Sequence, residues 1–132
     1  MRFEPQTELE RRLALAHSRP SDAKAYQGFV QELITTMLGA LGRAAPHGFQ
    51  PLVLSPAGTP GVCAFSHPLR YNTFTTESMV PAPDWQVRPE RARNLFAWAA
   101  SNDLYLLLNP GSALGNDFPP FELDRLLRGQ WV

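Results

Sequence analysis

The apolar segment Leu104 to Leu108 ends abruptly at Asn109-Pro110-Gly111-Ser112, and this junction constrains the fold more than any other stretch. A strand with one wet face alternates apolar and polar residues, so an unbroken apolar run implies a strand covered on both faces. Pro110 fixes φ at the first corner of a turn and Gly111 permits positive φ at the second, which is the demand of a type II turn. Asn109 is expected to tie its side chain to nearby backbone, as asparagine does in turns. Beyond the turn, Pro119-Pro120 opens a last helix that carries Glu122 and Asp124 near its start, where the helix dipole favours acids, and stops at Gly129. The turn lacks the Gly-Lys-Ser/Thr of a phosphate loop and the spaced glycines of a dinucleotide site. An architectural role is therefore expected for Asn109, Pro110, Gly111 and Ser112, with an exposed recognition loop as the alternative.

Upstream, Thr7 and Glu10 have the spacing of a capping box, and Leu9, Leu13 and Ala16 follow at helical intervals to Arg19-Pro20. Ser21 suits the N-cap of a longer helix. Its stripe runs Tyr26, Phe29, Val30, Leu33, Ile34, Met37, Leu38 and Leu41, with Gly42 placed as a left-handed stop. Phe49 to Leu54 then reads as a strand, with Pro51 marking an edge or the strand's beginning. Val62 to Phe65 reads as its hairpin partner across the Pro56–Gly61 turn. Residues 66 to 84 carry no clear period. Trp85 to Val87 is extended, Pro89 suits a first helical position, and Ala92, Leu95, Phe96 and Ala99 mark a third buried helix face ending near Asn102. The order α-α-β-β-(β)-α-β-α predicts an α+β domain in which a mixed sheet of four or five strands packs against helices. With no repeat and no linker, residues 1–132 are expected to form one domain.

Twelve Lys+Arg balance twelve Asp+Glu, so the chain has no long-range field to draw nucleic acid or anionic lipid. No window approaches eighteen apolar residues, which excludes a helical membrane span. One cysteine, Cys63, permits no internal disulfide, and the N-terminus lacks the apolar core of a signal peptide; a cytoplasmic location is expected.

The titratable residues offer little chemistry. His17, His47 and His67 lie on separate segments without metal-ligand spacing, so no metal or other cofactor is expected. Cys63 and His67, four apart on an extended chain, would stand roughly 13 Å from each other, too far for a thiolate–imidazole pair. Ser66 with His67, or Ser112 with Asp117, supplies fragments of a hydrolase triad but no Gly-x-Ser-x-Gly elbow. Glu122 and Asp124 are two apart on a helix and do not face each other.

The run Leu108-Asn109-Pro110-Gly111-Ser112, followed by Gly115, Phe118, Pro120, Glu122 and Leu126-Leu127, resembles the signature of the SseB N-terminal domain family, a bacterial group named for a serine-sensitivity phenotype. Phe74-Thr75-Thr76-Glu77 resembles a further step of that pattern, with Phe65-Ser66-His67 as the alternative placement. Family members usually continue into a second domain, so the resemblance implies a free-standing single-domain version. It also implies a link to amino-acid metabolism, hence a regulatory or small-ligand role as one reading.

The other reading starts from Arg88, Arg91 and Arg93 beside Trp85, Asn94 and Trp98. Arginine and tryptophan together can stack nucleic-acid bases, but they also mark protein-interface hot spots, and zero net charge favours protein. With Tyr71, Asn72 and Trp131, these residues suggest a binding surface for a protein partner, through Tyr71, Trp85, Arg88, Arg91 and Trp131. A small bacterial domain without a catalytic constellation suits an immunity-type inhibitor of a secreted toxin, by analogy of class. A hydrolase built on Ser66 and His67 is the third reading.

Overall fold

The computed structural model describes residues 4–130. Thr7 caps α1 (Glu8–Ser18) by accepting the Glu10 N–H at 3.1 Å. The Glu10 carboxylate reaches back to the Gln6 N–H at 2.8 Å, one residue earlier than in a standard capping box. Asp22, not Ser21, caps α2 (Ala23–Thr35), accepting the N–H groups of Lys24 and Ala25.

The second helix ends at Thr35, seven residues before the stop expected at Gly42. Thr36 is extended, and Met37, Leu38 and Leu41 belong to β1 (Met37–Ala45). The stripe misleads because β1 is buried on both faces. Leu38 and Ala40 enter one core and Leu41 the other, so a strand satisfies the same apolar positions as a helix. The glycines are what distinguish the two. A Cβ at Gly42 would lie 2.3 Å from the Gln50 carbonyl oxygen, so the neighbouring strand packs where a side chain would stand.

A two-residue turn leads from β1 into β2 (Gly48–Pro51), followed by β3 (Val53–Leu54) and β4 (Gly61–Phe65). Gly39 and Ala40 pair with both β4 and β5 (Trp85–Arg91), while Gly42 and Arg43 pair with both β2 and β5. β5 therefore lies along one side of β1, and β4 and β2 share the other. Where β1 and β4 splay apart, the segment 48–54 fills the gap, bonding first to β1 and then, as β3, to β4. The β3–β4 hairpin matches the sequence expectation. β6 (Tyr105–Leu108) runs parallel to β4, and β7 (Asn116–Phe118), which the sequence did not reveal, adds antiparallel to β6. The described residues thus form a seven-stranded mixed sheet and five helices in an α+β fold.

Helices α1, α2, α4 (Ala92–Ser101) and α5 (Pro120–Leu127) cover one face of the sheet, and α3 (Pro68–Glu77) lies on the other. Val62, Ala64, Leu106 and Leu108 point to the four-helix side; Cys63, Phe65 and Leu107 point to the α3 side. α3 was not anticipated: its face is mostly polar, with Arg70 and Phe74 as its buried residues. Pro89 is a second correction, since it stands inside β5 and α4 starts three residues later. Ala92 N–H donates to the Thr36 carbonyl, which places the inward bonds of β5 on Glu90, Arg88 and Gln86 by alternation. Pro89 faces outward, so its missing N–H weakens no ladder bond.

Candidate functional site

β4 and β6 are adjacent parallel strands, and the residues after their carboxyl ends, Ser66 and Asn109, meet. Asn109 is fully buried with φ 52°, a left-handed conformation that asparagine tolerates better than most residues. Its side chain does not serve the local turn as expected. It crosses to β4, where Oδ1 accepts the Ser66 N–H at 2.9 Å and Nδ2 donates to Ser66 Oγ at 2.8 Å. The turn itself is of the expected kind: Ser112 N–H donates to the Asn109 carbonyl, and Gly111 has φ 81°.

Ser66 Oγ donates in turn to Glu10 Oε2. Glu10 is fully buried and also takes two bonds from Arg70, at 2.7 Å and 3.0 Å, while Arg70 Nη2 donates to the Glu4 carbonyl at 2.5 Å. Burial pushes the Glu10 carboxyl up, but the bonds from Arg70, Ser66 and the Gln6 N–H outweigh it and leave Glu10 below its ordinary range. This network ties α1 to the start of α3 and to the signature turn. The sequence showed Glu10 as part of a cap and Arg70 as one of eleven arginines, with nothing to pair them across sixty residues.

The triad fragments do not assemble. Ser66 gives its proton to a carboxylate held ionised by an arginine, and His67 Nδ1 accepts the Leu69 N–H at 3.1 Å as the N-cap of α3. Ser112 Oγ is buried without a hydrogen bond to Asp117 or to any other described residue. Cys63 is fully buried, and burial, helped by the charge of Asp117, pushes its thiol up to about 12. Glu122 accepts the Tyr26 hydroxyl at 2.7 Å while Asp124 pairs with Arg128, so the two carboxylates are engaged apart. His17 closes α1 and His47 lies in the β1–β2 turn; among the described residues no group of histidine, cysteine and acid side chains is placed to hold a metal. No described helix is long and apolar enough to cross a membrane.

The residues expected to form a binding surface are divided between the two faces of β5. Trp85 and Arg88 are an odd number of positions apart and point oppositely. Trp85 packs half-buried into the α3-side core, whereas Arg88 lies over the Phe49 ring, 5.3 Å from its centroid. Strand alternation puts Arg91 on the α3 side with Val87 and Pro89. Trp98 packs against the four-helix core, and Arg93 reaches the Leu127 carbonyl at 3.5 Å. Trp131 lies outside the described residues.

Tyr71 stands elsewhere, edge-on to Phe65 with ring centroids 5.4 Å apart. It borders a groove of about 420 Å³ between α3 and β5. Phe65, Pro68, Val87 and Pro89 supply most of its apolar wall, Met37 and Gly39 come from β1, and polar groups come from Ser66 and His67 before α3 and from Asn72 in its middle. Met37 and Val87 are exposed there, 53% and 38% respectively, because a single helix covers this side of the sheet. Sequence periodicity could not reveal the groove, since it assigned Met37 to a helix core and left residues 66 to 84 without structure. Comparison with protein-family models, curated proteins and solved structures gives no match.

Proposed function

We propose that this protein is a non-enzymatic binding domain of the SseB N-terminal type, working in the cytoplasm as an immunity-type inhibitor that associates stoichiometrically with a toxin. One observation carries the reading. Ser66, Glu10 and Glu122 are engaged in internal hydrogen bonds and Cys63 is buried, while the α3 side of the sheet leaves an apolar groove open beside exposed Met37 and Val87. An apolar hollow lined by a tyrosine, with Arg91 on the same face of β5 beyond its lining, has the composition of an interface anchor site. The surface proposed therefore keeps Tyr71 and Arg91 and adds Met37 and Val87, while Arg88, on the opposite face over Phe49, falls outside it. Alanine at Tyr71 or Val87 is expected to weaken a protein partner by about 2 kcal/mol with the melting temperature little changed. Full affinity in both variants, measured by calorimetry, would move the interface elsewhere. A second reading, a small-ligand domain, is favoured by the groove's concavity and by the few polar groups set in its apolar wall.

A further inference from the structure

We propose that the α3–β5 groove is a site for a small monocarboxylate with an apolar body, the body lying against Phe65, Tyr71 and Val87 and the carboxylate at the His67 end. This rests on the small-ligand reading above and gives that ligand a charge. The volume of about 420 Å³ falls in the range of small-molecule sites, roughly 300 to 1,000 Å³, and its wall is mostly apolar with a few polar groups to fix orientation.

The polarity of that end follows from the helix cap. Because His67 Nδ1 accepts the Leu69 N–H, the neutral ring must carry its proton on Nε2, and the charged ring carries one there too. In either state the atom left for a ligand is a donor. Arg91 does not line the groove itself, but it pairs with the lining residue Met37 across β1 and β5, and strand alternation sets it on the same face of the sheet, within reach of a head group at that margin. Among the described residues no carboxylate pairs with Arg91. The nearby acids do not compete. Glu10, behind the lining residue Ser66, is buried and paired with Arg70, Glu90 points to the other face by alternation, Asp84 pairs with Arg43 at 3.7 Å, and no acid lines the groove. An apolar hollow whose polar end presents donors and no acceptor carboxylate is complementary to an anionic head on an apolar body.

Isothermal titration with octanoate and with octan-1-ol tests this, since the two share a chain and differ in the head. Octanoate is expected to bind one per chain, about five- to tenfold tighter than octanol. Arg91→Gln should bring octanoate down toward octanol, and Met37→Glu, which sets a carboxylate at the mouth, should weaken octanoate at least as much. Both positions are exposed, so unchanged melting temperatures are expected and exclude unfolding as the cause. Equal affinity for the two probes, octanoate binding indifferent to Met37→Glu, or no saturable binding would each overturn the proposal. A chain that binds neither probe yet neutralises a protein partner at one equivalent overturns the ligand while leaving the association reading intact.

Discussion

Two residues test how the signature turn and the buried network hold the molecule together. Gly111 combines positive φ with a close approach: a Cβ there would sit 2.4 Å from Ser78 Oγ, just past the end of α3. Gly111→Ala should lower stability by about 1 to 3 kcal/mol. In the background of Ser78→Ala the loss should shrink, because the crowded oxygen is gone and the backbone strain alone remains; a melting temperature unchanged by Gly111→Ala would show that the turn relaxes freely. Glu10 gives the second test. Its folded carboxyl titrates below the unfolded one, so the stability it contributes is present above the unfolded pKa and is lost as pH falls through the folded value. Thermal unfolding followed downward from pH 6 should show this loss in the native chain, and Glu10→Gln should flatten it. At neutral pH the same variant should be destabilised by about 3 to 5 kcal/mol, since it leaves Arg70 buried without its counter-charge. Equal acid sensitivity in the two proteins would mean that other groups govern it.

At the scale of elements, β5 is an edge strand whose outward row is interrupted by Pro89. Two copies pairing through this edge would find no N–H at its middle, a common defence against strand addition. Pro89→Val restores that donor and should make the protein self-associate with rising concentration in sedimentation velocity; a variant as monodisperse as the native chain would show that twist or neighbouring side chains guard the edge instead. Pro89 also marks how far the sequence could be read. It suits a helix's first turn and an outward edge position equally, and only the ladder with β1 decides between them. Elements with one wet face, such as α1 and α5, were legible from capping and period. β1 was not, because burial on both faces removes the alternation that identifies a strand, and its glycines, which record contact with β2, looked like helix punctuation. α3 escaped because a helix covering the sheet alone, held by Phe74 and the Arg70 ion pair, needs no long apolar stripe.

Across the whole molecule, the two faces of the sheet are covered unequally. Four helices close one face of the sheet, and one helix leaves the other partly open where apolar side chains and donor groups meet. The sequence pointed to an arginine–tryptophan surface, but β5 sends Trp85 and Arg88 to opposite sides, so the composition was legible and the placement was not. The groove depends on long-range pairing among β1, β4 and β5, which no local pattern encodes. The proposed function requires that the protein act by occupying its partner, one for one. Titrating this protein into a fixed amount of a secreted toxin that it binds, and reading residual toxin activity, tests the proposed one-for-one association. An end point at one equivalent is predicted, and complete protection far below one equivalent would contradict it by showing turnover.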